Sequence, residues 1–192
     1  MKKIFLKAVV VLSSSLFVLA CNDSTTEKTN TDSSSKVSET KMDTGMTKPA
    51  MINNDFVTTV ANVGMMEVEL GKVAQTNAAS KDVKDFGKMM EDDHTAAGNE
   101  LKDIATAENI SFPAGMNEEH TMHVTNLSAK KGAEFDKAYM DMMVEGHTST
   151  IDAFKKAIAS NENQKVKDFA AKTLPTLQKH LDKAKAIKSK LK

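Results

Sequence analysis

The sequence predicts an all-α protein in which four long helices form two hairpins. Helix-favouring residues such as Ala, Lys, Glu, Leu and Met are abundant, whereas aromatic residues make up 5% of the 192 residues and Trp is absent. Apolar residues recur every three or four positions along four stretches of the chain, as they do on one face of a helix. Two of the three connections between these stretches are only a few residues long, which makes the helices that they join antiparallel neighbours.

The first 20 residues have the form of a secretory signal peptide. Three lysines lie within the first seven residues, and they are followed by an apolar run over residues 8–20 that is too short to span a bilayer as a helix. The run ends in VLAC, which resembles the lipobox of bacterial lipoproteins. That resemblance implies that Cys21 is lipidated and becomes the first residue of the mature protein. We therefore expect a protein of the cell envelope that is anchored by its lipid to the outer membrane.

Residues 22–52 are predicted to form a disordered tether between this lipid anchor and the folded domain. They are rich in Ser, Thr, Lys and acidic residues and contain few large apolar side chains, so they cannot bury enough surface to fold. The sequence thus divides into a signal peptide over residues 1–20, a lipidated cysteine and tether over residues 21–52, and a helical domain over residues 53–192.

The first helix of the domain is predicted over residues 54–78. Its apolar residues follow one another at helical spacing, and they are Phe56, Val60, Val63, Leu70 and Ala74. Glu67 fills the one vacant position in this series. A carboxylate is therefore expected on the buried face of the helix.

The second helix is predicted to begin at Ser80, a residue type that favours the N-cap, and to end near Ala107. Its buried face is expected to carry Val83, Phe86, Met90, His94, Ala97, Leu101 and Ile104. His94 therefore lies within an otherwise apolar face.

The third and fourth long helices are predicted over residues 133–159 and 163–190. The buried face of the third is expected to carry Met140, Met143, His147, Ile151, Phe154 and Ile158. The buried face of the fourth is expected to carry Val166, Ala170, Leu174, Leu177, Leu181, Ala184 and Ile187. Pro175 is predicted to kink the fourth helix.

The tetrapeptide VKDF occurs at the start of both the second and the fourth helix, which indicates that the two hairpins arose by duplication.

About 25 residues separate the two hairpins, and a short helix over residues 117–127, capped by Asn117, is predicted within them. His120 and His123 in this segment are expected to be surface residues. A connection of this length allows the chain to return along the whole bundle. Two hairpins joined by a long crossover are the arrangement of ferritin-like four-helix bundles.

Carboxylates and histidines on the buried faces form a candidate metal site. Glu91 and His94 have the Glu-x-x-His spacing that places both side chains on one helix face, and Glu67 is expected on the neighbouring helix. The second hairpin lacks the matching pattern. Leu177 lies three residues before His180, at the position where the pattern needs an acidic residue. The complete ligand set of a di-iron bundle is therefore absent.

Two other interpretations of these residues remain open. A methionine lies four residues before two of the histidines, Met90 before His94 and Met143 before His147. Each pair shares one helix face, and thioether and imidazole together suit copper. Alternatively, Glu67 and His94 form a hydrogen-bonded pair in a polar core that binds no metal, with the methionines filling irregular gaps. The sequence leaves iron, copper, zinc or no metal as alternatives.

The composition argues against two functional classes. The 26 basic residues are all lysines and balance the 26 acidic residues, so there is no basic surplus that would favour binding to nucleic acid. The chain contains no nucleophile elbow and no Walker loop, and its one cysteine is the predicted lipidation site. These observations favour a non-catalytic protein, and whether the chain is an enzyme stays open.

Several short motifs resemble the DUF4142 family of bacterial proteins, whose function is unknown. They are E-x-E-L-G at residues 67–71, DDH at 92–94, FD-x-AY at 135–139, GH at 146–147 and LP-x-L-x-x-HL at 174–181. The resemblance covers nearly all of residues 55–187, and it implies a ferritin-like domain in a secreted or envelope-anchored protein. Carried over residue by residue, it marks Glu67, Asp93, His94, His147 and His180 as positions to test.

The expected function is that of a non-catalytic lipoprotein of the envelope with a polar core of histidine and glutamate, and a role under stress is one expectation. The alternative is a module that binds iron, copper or zinc. The lipid anchor makes the membrane a partner of this protein. Its protein partners and its assembly into a homo-oligomer remain open.

Overall fold

The structure is a computed structural model that describes residues 48–160 and 163–191, and these residues form five helices and no strand. The predicted signal peptide, Cys21 and the tether up to residue 47 lie outside the described residues. The helices are α1 (Lys48–Asn77), α2 (Lys81–Ala107), α3 (Glu118–Ser128), α4 (Gly132–Ser160) and α5 (Gln164–Lys188). Within this part of the chain no helix combines the length and the apolar character that crossing a membrane requires.

The four long helices form two hairpins, as the sequence predicts. α1 packs against α2 and α4 packs against α5, while α1 also contacts α4 and α2 also contacts α5. The short helix α3 lies in the crossover and packs on α1 and α4. The end of α1 adjoins the start of α4, where the backbone of Ala78 bridges to Gly132. The predicted all-α bundle with a long crossover and a short helix is therefore confirmed.

Helix α1 begins at Lys48, earlier than the predicted start at Asn54, and it includes residues that were expected to belong to the tether. Pro49 lies in its first turn, where the missing backbone N–H has no helical acceptor and costs nothing. Sequence patterns locate a helix more reliably than they fix the residue at which it begins. Helix α5 is continuous through Pro175 and ends at Lys188, whereas the kink at this proline stays a prediction.

The first half of α1 turns a different face to the core than the periodicity indicated. Val57 and Ala61 are buried there, whereas Phe56, Val60 and Val63 are only partly buried. Phe56 and Val60 still pack against core residues, while Val60 and Val63 also border cavities, so the predicted face is only partly covered. In the second half of the helix the predicted residues Glu67, Leu70 and Ala74 are buried as expected.

Two glycines fix the distance between α1 and α2. A Cβ atom on Gly71 would lie 2.5 Å from the carbonyl oxygen of Gly87, and one on Gly87 would lie 2.6 Å from the Cβ of Ala74. Only glycine at both positions allows the two backbones to approach this closely. The crossing lies within two helical turns of Glu67 on α1 and of His94 on α2, so it brings those two residues towards each other.

The turn between α1 and α2 is held by an acidic residue in the second turn of α4. The carboxylate of Asp136 accepts hydrogen bonds from the backbone N–H groups of Ala79 and Ser80, at 3.1 Å and 2.9 Å. Ser80 occupies the N-cap of α2, but its side chain makes no capping hydrogen bond. Asp136 therefore supplies, from another helix, the negative charge that the start of α2 favours.

Two hydrophobic clusters fill the bundle, one on each side of a polar layer. The first includes Leu70, Phe86, Met90, Phe135, Tyr139 and Met143. The second includes Val57, Leu101, Ile151, Phe154, Phe169 and Leu177. Buried polar residues lie between these clusters on all four long helices, and they form the candidate site.

Candidate metal centre

Three histidines from three helices meet in the polar layer. His94 on α2, His147 on α4 and His180 on α5 are 8%, 0% and 2% exposed. One ring nitrogen of each lies within 4.8 Å of a ring nitrogen of the other two. The ring centroids are 5.3 Å to 5.7 Å apart. The layer thus contains three imidazoles at separations that allow them to share one metal ion.

Glu67 on α1 lies between two of these imidazoles and is 1% exposed. Its Oε1 atom lies 3.3 Å from Nδ1 of His147, and its Oε2 atom lies 3.2 Å from Nδ1 of His94. Both distances are within the range of an ion pair. The contact with His94 is not aligned as a hydrogen bond, since Oε2 has no hydrogen-bond partner. The carboxylate therefore faces two imidazoles, and its Oε2 atom can still accept a hydrogen bond.

Polar contacts continue from the layer to the protein surface. Nδ1 of His147 is 2.9 Å from the carbonyl oxygen of Met143, and Nε2 of His147 is 3.4 Å from Nδ1 of His180. Nε2 of His180 in turn lies 2.8 Å from Oδ2 of Asp93, whose side chain is 44% exposed. The buried histidines are therefore linked to one surface carboxylate.

Burial keeps the imidazoles of His94 and His180 uncharged near neutral pH. Loss of hydration lowers the pKa of His94, and the charge of Glu67 opposes this effect only in part. Loss of hydration also lowers the pKa of His180 to about 4, against the opposing hydrogen bond to Asp93 and with the help of the two neighbouring histidines. Neutral imidazoles have one nitrogen with a free lone pair, which is the form that binds metals.

The surrounding acceptors determine which nitrogen of each ring carries the proton. The Asp93 carboxylate and the Met143 carbonyl can only accept, so Nε2 of His180 and Nδ1 of His147 must donate to them. The remaining nitrogens, His147 Nε2 and His180 Nδ1, then both present lone pairs to each other. Nε2 of His94 is buried and has no hydrogen-bond partner. Each of the three rings thus offers one free lone pair.

The structure brings together only some of the residues that the sequence marked. Glu67, Asp93, His94, His147 and His180 lie in one connected group. The carboxylate of Glu91, however, accepts a hydrogen bond of 2.8 Å from Gln75 on α1. The two residues of the Glu-x-x-His pattern therefore have different partners, and Glu91 is not part of the histidine group.

The two methionines of the copper interpretation are buried in the first hydrophobic cluster. The contact that links Met143 to His147 runs through the backbone carbonyl of the methionine. On the crossover, His123 is exposed and lies 3.9 Å from Glu119, as expected for a surface residue. A ligand role for the thioethers of Met90 and Met143 stays a prediction.

One residue near the layer was not predicted from the sequence as part of the site. Tyr139 on α4 is fully buried, and its hydroxyl group has no hydrogen-bond partner. Burial and the charge of Glu67 both raise the pKa of this phenol, which keeps it protonated. The FD-x-AY motif that contains Tyr139 was the available signal. Spacing alone could not show whether the phenol is a core residue or a polar group beside the site.

Comparisons with known proteins identify a family but no characterised relative. The model of the family described as "Domain of unknown function (DUF4142)" matches residues 38–187, which is more than half of the chain. Neither the curated proteins nor the solved structures contain a match to the chain.

Proposed function

This chain belongs to the DUF4142 family, and we propose that it binds a divalent transition metal ion through His94, His147 and His180. The proposal includes the cell envelope as the place where the ion is bound, on the basis of the lipobox-like sequence at Cys21. It concerns binding and not a reaction.

The contact between His147 Nε2 and His180 Nδ1, at 3.4 Å, is the observation that supports this function most strongly. Nδ1 of His147 and Nε2 of His180 both donate to acceptors, so neither of the two nitrogens that face each other carries a hydrogen atom. A proton would resolve the conflict only by creating a buried imidazolium, which the low pKa of His180 disfavours at neutral pH. A metal cation accepts both lone pairs, together with the free nitrogen of His94, and removes the conflict.

The groups around the rings match the usual support of metal-binding histidines. Such histidines donate their second N–H to a carboxylate, a backbone carbonyl or water, which fixes the ring orientation. His180 has Asp93 in this position and His147 has the Met143 carbonyl, while the Glu67 carboxylate lies 3.3 Å and 3.2 Å from Nδ1 of His147 and of His94 without a hydrogen bond to His94. Glu67 therefore acts as an orienting group for two ligands.

Three imidazoles suit zinc or copper better than a ferritin-type di-iron centre. A di-iron centre of that type takes a glutamate from each of two helices and a glutamate and a histidine from each of the other two. Within the described part of this layer the buried carboxylate is Glu67 alone, and it already faces two imidazoles. A three-histidine zinc site keeps one coordination position open for another ligand.

Metal analysis of the full chain tests the proposal. The protein is extracted in detergent and purified without a chelator or an affinity metal, and its metal content is measured by mass spectrometry. We expect one zinc or copper ion per chain, which is lost in His94→Gln and His180→Gln while circular dichroism shows that both variants remain helical. His123→Gln is the matched control, because this histidine is exposed on α3. A metal-free protein that takes up neither ion on titration would instead support a polar core without a metal function.

The membrane anchor is tested separately. The sequence around Cys21 supports lipidation, and a lipid-anchored chain should label with radioactive palmitate and sediment with the outer membrane. Cys21→Ser should abolish the label, because it removes the thiol that would carry the acyl chain. A Cys21→Ser variant that still takes up the label would contradict this anchor.

A further inference from the structure

A cavity of about 460 Å³ borders the histidine layer on the side of Glu67 and His94. This volume lies within the range of roughly 300–1,000 Å³ that is usual for sites of small molecules. The walls are mainly apolar, with Val60, Val63, Leu101, Phe112, Phe154 and Phe169 among them. Glu67 and His94 are the fully buried polar residues of the walls. The cavity therefore joins an apolar space to one edge of the proposed metal centre.

Two glycines leave this space open beside the polar groups. Gly64 lies three residues before Glu67 on α1, and Gly98 lies four residues after His94 on α2, so each glycine shares a helix face with its polar neighbour. A Cβ atom added to either glycine would meet no atom within 4 Å. Packing explains the glycines at the α1–α2 crossing but not these two, and glycine weakens a helix interior. Because these two residues have no side chain, the cavity stays open at their positions.

The buried polar groups of the cavity wall are the carboxylate of Glu67 and the imidazole of His94, while other polar side chains, including Asn99 and Lys102, also line the cavity. Nε2 of His94 and Oε2 of Glu67 are both buried without a hydrogen-bond partner. When a metal ion is held by the three histidines, the lone pair of His94 is used and a coordination position remains open. The carboxylate of Glu67, which lines the cavity, would repel an anionic ligand. An uncharged ligand is therefore favoured.

We propose that this cavity binds a small, uncharged, mainly apolar molecule that carries one nitrogen donor, which ligates the metal ion held by His94, His147 and His180. The proposal rests on the metal-binding function proposed above. The apolar body of the molecule packs against the valine, leucine and phenylalanine walls, and its nitrogen faces the polar end. Nitrogen suits the same borderline metals that imidazole ligands favour.

The full chain loaded with Co²⁺ gives a visible spectrum that reports ligands entering the coordination sphere. It is titrated with 4-phenylimidazole and with imidazole, which share a donor nitrogen and differ in apolar surface. We expect 4-phenylimidazole to bind at least about tenfold more tightly, because its phenyl ring is buried in the cavity. Gly98→Leu should remove this preference by filling the space while still binding one Co²⁺ per chain.

The matched control is Gly146→Leu on α4. This glycine also has no atom within 4 Å of an added Cβ, but it does not line this cavity. Gly146→Leu should keep the preference for 4-phenylimidazole. Equal affinities of the two ligands for the Co²⁺ protein, or a preference that survives in Gly98→Leu, would overturn the cavity proposal alone. A wild-type chain that binds no Co²⁺ would overturn the proposed metal function and this proposal together.

Discussion

Nε2 of His147 lies 3.4 Å from Nδ1 of His180. Both nitrogens are lone-pair acceptors, because the other nitrogen of each ring donates a hydrogen bond. The arrangement is stable only if something positively charged lies near both atoms, or if one ring gives up its outer hydrogen bond. Because the acceptors are Asp93 on α2 and the Met143 carbonyl on α4, neither ring can turn without losing a hydrogen bond. The bundle therefore holds two acceptor nitrogens towards each other.

Metal binding should stabilise the folded chain. An ion that binds the folded state and not the unfolded state adds about 2.7 kcal/mol to the free energy of unfolding at 100 times its dissociation constant. We expect added Zn²⁺ to raise the melting temperature of wild type and of His123→Gln, as measured by circular dichroism. His147→Gln should show no such rise. An equal rise in His147→Gln would place the ion elsewhere.

The carboxylate of Glu67 should tune the metal affinity without being essential for it. Glu67→Gln keeps the size of the side chain but removes the charge that faces Nδ1 of His94 and of His147. Loss of such an orienting group typically weakens metal binding by about 10- to 100-fold. Competition with a coloured chelator measures this change. Glu91→Gln is the control, since Glu91 contacts Gln75 outside the histidine group, and a comparable loss there would contradict the assignment.

The stability of the metal-free protein should depend on pH through His180. Its pKa is about 4 in the folded protein, against about 6.5 in an unfolded chain. Between these values the unfolded state binds a proton that the folded state does not, so the free energy of unfolding rises with pH. The stability is complete above about pH 6.5 and falls towards pH 4, by an amount of about 1–3 kcal/mol.

Urea unfolding in the presence of a chelator, at several values of pH between 4.5 and 7.5, measures this effect. His180→Gln cannot titrate at this position and should show a shallower dependence on pH. The difference between the two profiles reports His180 together with the groups that interact with it, which are Asp93, His94 and His147. Parallel profiles would show that the histidine has the same pKa in both states.

The start of α2 should depend on Asp136 and not on Ser80. Asp136→Ala removes the acceptor for two backbone N–H groups of the α1–α2 turn and should lower the free energy of unfolding by about 1–3 kcal/mol. Ser80→Ala should change it by less than about 0.5 kcal/mol, because the hydroxyl makes no capping hydrogen bond. Chemical unfolding of both variants checks the comparison. The reverse order would mean that the serine hydroxyl caps α2.

Two glycines of α1 should respond in opposite ways to alanine. Gly71→Ala places a Cβ atom 2.5 Å from the Gly87 carbonyl oxygen, so the helices must separate and the protein is destabilised. Gly64→Ala adds a methyl group in open space and should stabilise the helix by about 0.5–1 kcal/mol. Thermal unfolding distinguishes the two. If Gly64→Ala destabilises the protein, the space beside this residue is not open.

The sequence by itself determined the four long helices, the two hairpins and the short helix of the crossover. The spacing of the apolar residues predicts the helices, because an amphipathic face must be buried. The short connections predict the hairpins, because a short loop makes the two helices that it joins neighbours. The same periodicity placed Glu67, His94 and His147 on buried faces, and the family resemblance added Asp93 and His180. All five belong to one connected group in the structure.

Only the tertiary structure decided which of these side chains face one another. Glu91 and His94 share a spacing, yet Glu91 bonds to Gln75 while His94 faces Glu67, because helix rotation and the close crossing at Gly71 and Gly87 set the partners. Periodicity identifies a buried face but not what lies opposite it. The alignment of two acceptor nitrogens in the core, the capping of α2 from another helix and the cavity beside His94 all arise from contacts between residues far apart in the chain. No local pattern encodes such contacts.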